Sequence, residues 1–163
     1  MPLSASNLNV NCGWSLTRPN TGFLAALYGP DSVSFSLSGM AATINQCMAR
    51  IDTIAAAGTL NIDLDAYTDL DANAVTLTKA LSILILPTGT TGVLKVIPGA
   101  ANGLVWFFGD AADFISIPCG SCFLYSLGPT ATPQVIDATH KRLTYSNTGG
   151  TSLNVTTVLF GGT

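Results

Sequence analysis

The fold is decided by Leu81-Ser82-Ile83-Leu84-Ile85-Leu86, a segment that is apolar at almost every position. A strand with one buried face alternates apolar and polar residues, whereas successive apolar residues are typical of a strand covered on both faces. Pro87 follows this segment, and residues 88–92 have the glycine and threonine content of a turn. The segment therefore predicts a central strand of a sheet, or a strand at a subunit interface.

Further strand-like runs surround this segment and are separated by Gly, Pro, Asn and Asp. Short strands at this spacing predict an all-β fold, an antiparallel sandwich or barrel, and a count of about eight strands favours an antiparallel β-sandwich of two sheets. The glycine content of residues 147–150 predicts a hairpin between the last two strands. The predicted strands of the sandwich are residues 59–64, 76–86, 93–97, 104–108, 114–117, 123–125, 142–146 and 152–160.

The first 50 residues have a different pattern, with strand-like pieces at 8–16 and 33–37 and several Pro and Gly residues between them. A short helix is predicted over residues 41–50, because Ile44, Cys47 and Met48 have the i, i+3, i+4 spacing of one helical face. We therefore expect an N-terminal arm or small subdomain at 1–50, used for docking or oligomer contacts, and a β-sandwich domain at 51–163.

Charged residues make up only 9% of the chain, and the net charge is −3. The average is about 25%. Subunit interfaces are depleted in charged residues, so the composition predicts a homo-oligomer. Only Lys141 and Arg142 are adjacent basic residues, which argues against a nucleic-acid partner.

No apolar run approaches the roughly 20 residues that a membrane helix needs, so we expect no membrane partner. The start Met1-Pro2-Leu3-Ser4 lacks the basic and apolar regions of a secretory signal. Synthesis in a cytoplasm is the corresponding expectation.

Oxygen-bearing side chains cluster after the first predicted strand of the sandwich. Such residues at alternating positions suggest calcium, but an EF-hand loop starting at Asp69 would have Ala74 and Ala80 where glycine and a carboxylate are required. The favoured interpretation is a solvated loop without a metal. The weak metal candidates are Asp63, Asp65, Asp69, Asp71 and Asn73.

Cys119-Gly120-Ser121-Cys122 has the spacing of redox and zinc sites. A redox pair is activated at a helix N-terminus, and a zinc site needs two further ligands, for which only Cys12, Cys47 or His140 remain. We therefore expect a tight turn with free, mostly buried thiols. With a single histidine and no nucleophile motif, neither an enzyme nor a cofactor is expected, although a hydrolase with an aspartate site stays an alternative.

Aromatic residues are concentrated at Trp106-Phe107-Phe108 and at Phe123 and Tyr125. Aromatic side chains dominate cores and interfaces, so we expect core or subunit contacts here. The alternative is a platform on which a sugar ring stacks. The interface candidates are Trp106, Phe107, Phe108, Leu84 and Leu86.

Residues 59–163 resemble the small all-β structural proteins of tailed-bacteriophage virions, the capsid decoration and minor capsid class. The segments that carry this resemblance are Thr59-Leu60-Asn61-Ile62-Asp63-Leu64, residues 81–86, Leu143-Thr144-Tyr145-Ser146-Asn147-Thr148-Gly149-Gly150 and Val158-Leu159-Phe160-Gly161-Gly162. They are patterns of strands and turns, and the first 50 residues are not covered.

The resemblance implies a β-sandwich with a jelly-roll-like fold. It also implies a non-enzymatic virion protein that forms a homo-oligomer and binds the major capsid protein or another virion protein. Its implied location is the virion, after synthesis in the host cytoplasm. The alternative is a carbohydrate or host-surface binding module that uses the aromatic residues near Trp106 and residues 63–73, with calcium as a candidate ion.

Overall fold

A computed structural model describes residues 7–13, 32–38, 46–68, 74–127 and 131–162 of the chain. All regular elements within these residues are strands. They are β1 (Asn7–Gly13), β2 (Ser32–Ser38), β3 (Gln46–Ile54), β4 (Thr59–Asp63), β5 (Tyr67–Thr68), β6 (Ala74–Val75), β7 (Lys79–Thr88), β8 (Val93–Pro98), β9 (Ile115–Pro118), β10 (Phe123–Ser126), β11 (Gln134–Val135), β12 (Arg142–Asn147) and β13 (Leu153–Gly162).

Two antiparallel sheets form the sandwich. The 5-stranded sheet has the order β10-β7-β13-β3, with β11 also paired to β7, and the 4-stranded sheet has the order β4-β12-β8-β9. The chain passes between these sheets from β3 to β4, from β4 to β7 by way of the β5–β6 pair, and from β7 to β8, β9 to β10, β11 to β12 and β12 to β13. This is the strand order of a jelly roll. The predicted all-β, jelly-roll-like sandwich is therefore confirmed.

The core lies between the two sheets and is filled from alternate strand positions. On β8, Leu94 and Val96 are fully buried, whereas the intervening Lys95 is partly exposed. On β7, Ile83 and Ile85 belong to the same buried cluster. Each such side chain contributes about 1.5–3 kcal/mol through burial. The largest fully buried side chains are Tyr145, Met48, Ile62, Leu64, Leu77, Leu81, Ile83, Ile85, Leu94, Leu104, Leu143 and Leu153.

Buried Asn147 ties the two sheets together at one end of the sandwich. Its Nδ2 donates hydrogen bonds to the carbonyl oxygens of Ile54 (3.3 Å), Ala55 (3.0 Å) and Thr151 (2.7 Å). Its Oδ1 accepts a hydrogen bond from the backbone N–H of Gly149 (2.8 Å). Ile54 ends β3 and Thr151 precedes β13, so one side chain holds two of the connections that cross between sheets, β3 to β4 and β12 to β13.

The helix predicted over residues 41–50 is wrong for the part that the structure describes. Residues 46–50 begin β3, which pairs with β13 from Gln46 to Ile54, while 41–45 lie outside the described residues. Met48 and Ile54 are buried at alternate positions, and pairing with a long neighbouring strand outweighs the helical spacing. The predicted domain boundary at residue 50 thus lies inside β3.

Two further local predictions are wrong. Residues 104–108 form a turn, in which the N–H of Phe108 donates to the carbonyl oxygen of Val105 (2.6 Å). Their large side chains pack against the core from this turn. Residues 147–150 do not close a hairpin, because β12 and β13 belong to different sheets. The glycine-rich connection instead forms the arch that Asn147 holds.

Candidate functional site

A row of apolar residues crosses the outer side of the 5-stranded sheet. Val158 of β13 lies opposite Ala49 of β3 on one side and opposite Leu84 of β7 on the other. Leu84 in turn lies opposite Leu124 of β10. Because directly opposite residues share a face of the sheet, these residues form one row from β3 to β10.

A second row runs parallel to the first. Thr156 lies opposite Ile51 of β3 and Leu86 of β7. Residues two apart along a strand share a face, so Leu86 is on the same side as Leu84, and Ile51 is on the same side as Ala49. Neither row contains a charged residue.

Both rows point away from the core. Their apolar members neither belong to the buried core cluster nor pack against it, whereas the intervening Ile83 and Ile85 are fully buried within it. Ile51 is 55% exposed and the other members are half-buried. We call this surface the apolar face, and it comprises Ala49, Ile51, Leu84, Leu86, Leu124 and Val158.

The outer side of the 4-stranded sheet has the opposite character, and we call it the polar face. Nε and Nη2 of Arg142 donate to Oδ1 and Oδ2 of Asp63 at 2.6 and 2.9 Å. Thr144 Oγ1 donates to Asn61 Oδ1 at 2.7 Å. Lys95 lies on the same face, since its neighbours on β8 point into the core. This is the alternation of an antiparallel sheet with one side in water.

The acidic metal candidates that the structure describes are paired with basic side chains. The hydrogen bonds and charge of Arg142 hold the pKa of the Asp63 carboxyl below its ordinary value. Lys141 Nζ donates to Asp65 Oδ2 at 2.8 Å. No group of three potential metal ligands occurs within the described ranges. The remaining candidates, Asp69, Asp71 and Asn73, lie outside those ranges.

Within the described part of the chain, β3 is the edge strand of the 5-stranded sheet, and it carries an ion pair that faces inward. Arg50 Nε donates to Oδ1 of Asp52 at 2.6 Å, and Asp52 is only 8% exposed. The Arg50 guanidinium also lies 4.9 Å from the centre of the Tyr67 ring. Burial opposes the charge of Arg50, but its hydrogen bond to Asp52 and the attraction of that carboxylate raise its pKa. Inward charges on an edge strand disfavour a further strand, so contacts through a sheet face are favoured over edge pairing.

The aromatic residues close the opposite side of the sandwich, between β9 and β10. The rings of Phe107 and Phe123 are 5.1 Å apart, and those of Trp106 and Tyr125 are 5.4 Å apart in a T-shaped arrangement. Phe108 belongs to the core cluster, and Trp106 and Phe107 pack against it. Beside them is a cleft of about 350 Å³. It is lined by Trp106, Tyr125, Leu127, Thr132, Pro133, Gln134 and Val135.

Cys119 and Cys122 carry free, half-buried thiols. They flank a tight turn in which Gly120 has φ +79°, a backbone conformation that favours glycine. The turn carries the chain from β9 to β10, as its position before Phe123 predicted. The side chains of Cys12 and Cys47 lie outside the described part of the chain.

His140 belongs to a small exposed turn. Asp137 Oδ1 accepts hydrogen bonds from the backbone N–H of Thr139 (2.7 Å) and of His140 (2.8 Å). Hydrogen bonds from Thr139, followed by those from His140, lower the pKa of Asp137 to about 2. The histidine thus completes a local turn motif of the kind that aspartate favours.

The structure places two predicted interface candidates, Leu84 and Leu86, on one surface, and it places the aromatic candidates elsewhere. The other members of the apolar face were missed by sequence reasoning. Ala49 fell within the predicted helix and Ile51 just after it, outside any predicted strand. Leu124 is flanked by larger aromatic residues. Val158 was assigned to a strand, but only the register with β7 shows that it lies opposite Leu84.

Comparison with known proteins gives little further information. No family model matches the chain, and no curated protein matches it. One similar solved structure is titled "Bacillus endospore appendages form a novel family of disulfide-linked pili"; it has 12% sequence identity and a TM-score of 0.33, and the match covers 73% of this chain and 93% of that chain. Within the described residues, no helix has the length and apolar character to cross a membrane.

Proposed function

We propose that this protein is a non-enzymatic structural subunit that assembles with neighbouring molecules through the apolar face. The observation that carries the proposal is the pair of charge-free rows across the 5-stranded sheet. The outer side of such a sheet normally alternates toward polar residues, as the other sheet of this molecule does. A contiguous apolar patch rimmed by polar residues is typical of an interaction site.

The polar residues that border the apolar face support the same proposal. Thr156 lies within the second row, and Thr53, Thr88 and Asn154 lie along the same sheet beyond it. Thr53 Oγ1 donates to Asn154 Oδ1 at 2.7 Å, and Thr88 Oγ1 donates to the Asn154 carbonyl oxygen at 3.2 Å, so this border forms hydrogen bonds without carrying charge. Desolvation of an ion costs several kcal/mol, and this surface avoids that cost when a neighbour covers it.

The setting that we propose is a virion, with the protein as a capsid decoration or minor capsid subunit. Two observations support this setting: the resemblance of residues 59–163 to that class, and the jelly-roll strand order, which recurs in viral capsid proteins. Both are analogies at the level of the fold, which hosts other functions as well. The contact would resist mechanical load through buried area, on the usual scale of about 1,600 Å² for one stable interface.

Two measurements test this proposal. Light scattering after size-exclusion chromatography should give a mass that is a multiple of the 16.8 kDa chain. Mass spectrometry of purified virus particles should find this polypeptide at a copy number that matches a repeated position on the lattice. A monomer at all concentrations that also fails to sediment with capsids would contradict the proposal.

A second candidate function, carbohydrate binding, is favoured by the cleft beside Trp106 and Tyr125. A cleft near 350 Å³ is within the range of small-ligand sites, and Thr132 and Gln134 add neutral hydrogen-bonding groups to its aromatic wall. A glycan array with and without a calcium chelator separates the two candidates. The structural-subunit proposal predicts no bound glycans, whereas hits that a Gln134→Ala substitution abolishes would favour the binding module.

A further inference from the structure

The two N-terminal strands pair into a ribbon with a strict division of residue types. Register places Leu8 opposite Leu37 and Val10 opposite Phe35. Opposite residues share a face, and residues two apart along a strand do as well. One face of the ribbon therefore has only apolar positions: Leu8, Val10, Cys12, Val33, Phe35 and Leu37. The opposite face has only small or polar positions: Asn7, Asn9, Asn11, Gly13, Ser32, Ser34, Ser36 and Ser38.

Such a ribbon needs a partner surface. An isolated two-stranded ribbon is marginally stable at best in water and gains stability when an apolar face packs against another element. Among the strands that the structure describes, β1 and β2 pair with each other and with no strand of the sandwich. The partner it needs is an uncharged apolar surface with the spacing of a sheet.

The apolar face of the sandwich meets this requirement. Both surfaces are uncharged. Apolar residues occupy alternate positions along both strands of the ribbon, and they do so on the face at Ala49 and Ile51 of β3 and at Leu84 and Leu86 of β7. The ribbon of seven-residue strands is about 24 Å long, which is comparable to the length over which β7 and β13 pair. Stacked sheets pack about 10 Å apart through side chains of this kind.

We infer that the ribbon of one copy packs its apolar side on the apolar face of a second copy. This inference rests on the proposed function, since it names the partner that covers that face. Packing within one chain would bury both surfaces in a monomer and leave the low charge of the chain unexplained. Packing between copies explains the low charge of the chain as well, because neighbouring copies then cover much of the surface of each subunit.

The connection between ribbon and sandwich permits this exchange. Residues 39–45 separate β2 from β3 and span up to about 25 Å when extended. Exchange of an identical element between copies is a low-cost route to assembly. Each copy would then offer a ribbon and a face, so two copies can exchange ribbons in a closed dimer, or successive copies can join head-to-tail in a ring or filament.

A mixing experiment with the full chain tests this inference. Leu84→Asp blocks the apolar face, and Phe35→Asp blocks the ribbon. Each variant alone should remain a monomer of 16.8 kDa. An equimolar mixture should form a complex of twice that mass and no larger species, because one intact ribbon meets one intact face. Ser116→Asp on the polar face and Ser36→Asp on the polar side of the ribbon are matched controls and should assemble like wild type.

The outcomes separate the inference from the proposed function. Assembly of Phe35→Asp at the wild-type level, or a mixture that stays monomeric, would overturn the inference and leave assembly through the apolar face intact. A wild-type protein that is monomeric at all concentrations would overturn the inference, and it would overturn the proposed function as well if it also failed to sediment with capsids. Circular dichroism must show that each variant is folded. If Leu84→Asp is not, Ile51→Asp replaces it, since Ile51 is 55% exposed.

Discussion

The two outer sides of the sandwich are built from the same kind of strand and the same core, yet they differ in chemistry. On the polar face, Asp63 and Arg142 form a two-pronged ion pair across neighbouring strands. On the apolar face, the equivalent cross-strand neighbours are Val158 and Leu84. Both sheets contribute side chains to one core, so the packing of the core does not require this difference. We attribute the difference to what each outer side contacts, water on the polar face and a neighbouring molecule on the apolar face.

The largest expected effect comes from a charge placed in the centre of the apolar face. Leu84→Asp should weaken assembly by at least about 100-fold, because an unpaired carboxylate buried in an interface costs several kcal/mol. Ser116→Asp, on the polar face, is the matched control and should leave assembly unchanged. Sedimentation velocity over a range of concentrations measures both. Equal losses in the two variants would remove the distinction between the faces.

The next largest effect is expected at the arch of residues 147–150, which connects the two sheets. Asn147→Ala removes the side-chain hydrogen bonds to three carbonyl groups and the acceptor of the Gly149 N–H, although the Ala55 carbonyl keeps its bond from the N–H of Gly58. It should lower the free energy of unfolding by about 2–4 kcal/mol. Thr148→Ala, which removes one exposed hydrogen bond to Val93, is the control and should change it by less than about 1 kcal/mol. Urea unfolding measures both, and a similar small change in the two variants would show that Asn147 does not hold the sheets.

A milder change at the rim of the apolar face separates assembly from stability. Ile51→Ser should weaken assembly about 10-fold, corresponding to roughly 1–2 kcal/mol of lost apolar burial. Because Ile51 is 55% exposed in the single chain, the melting temperature of the dissociated protein should hardly change. A large fall in melting temperature with unchanged assembly would place Ile51 in the fold rather than in the interface.

The smallest effect is expected on the polar face and depends on pH. Arg142 lowers the pKa of Asp63, so this carboxylate stabilises the fold above its ordinary pKa of 3.8 and loses that contribution as the pH falls through the lowered value. Asp63→Asn should lower the melting temperature at pH 7 by only a few degrees and should flatten the fall between pH 4 and 2. Assembly should not change. If the melting temperature of Asp63→Asn falls between pH 4 and 2 as steeply as that of the wild type, the Asp63–Arg142 pair contributes nothing to stability.

Much of the fold could be predicted from the sequence, because the apolar residues at 81–86 and the alternation around them depend on local patterning. The predicted strands at 59–64, 93–97 and 123–125 agree with β4, β8 and β10 to within one residue. The wrong predictions lie where contacts between distant segments determine the local structure. Residues 46–50 have helical spacing but pair with β13, and residues 147–150 look like a hairpin but cross between sheets.

The candidate site could be predicted only in part for the same reason. Leu84 and Leu86 stand out because their segment is apolar on both sides. Ala49, Leu124 and Val158 come from distant segments, and only strand register places them in one row with Leu84. Large aromatic side chains in succession predicted an interface at Trp106, Phe107 and Phe108, yet these side chains close one side of the core.

The central claim is that the apolar face of the 5-stranded sheet is the assembly contact, and site-specific photocross-linking tests it most directly. Benzoylphenylalanine would replace Leu84 in one variant and Ser116 in another, each in the full chain under assembly conditions. If the apolar face is the assembly contact, cross-links between chains should form from position 84 and none should form from position 116. Assembled protein that cross-links from position 116 and not from position 84 would contradict it.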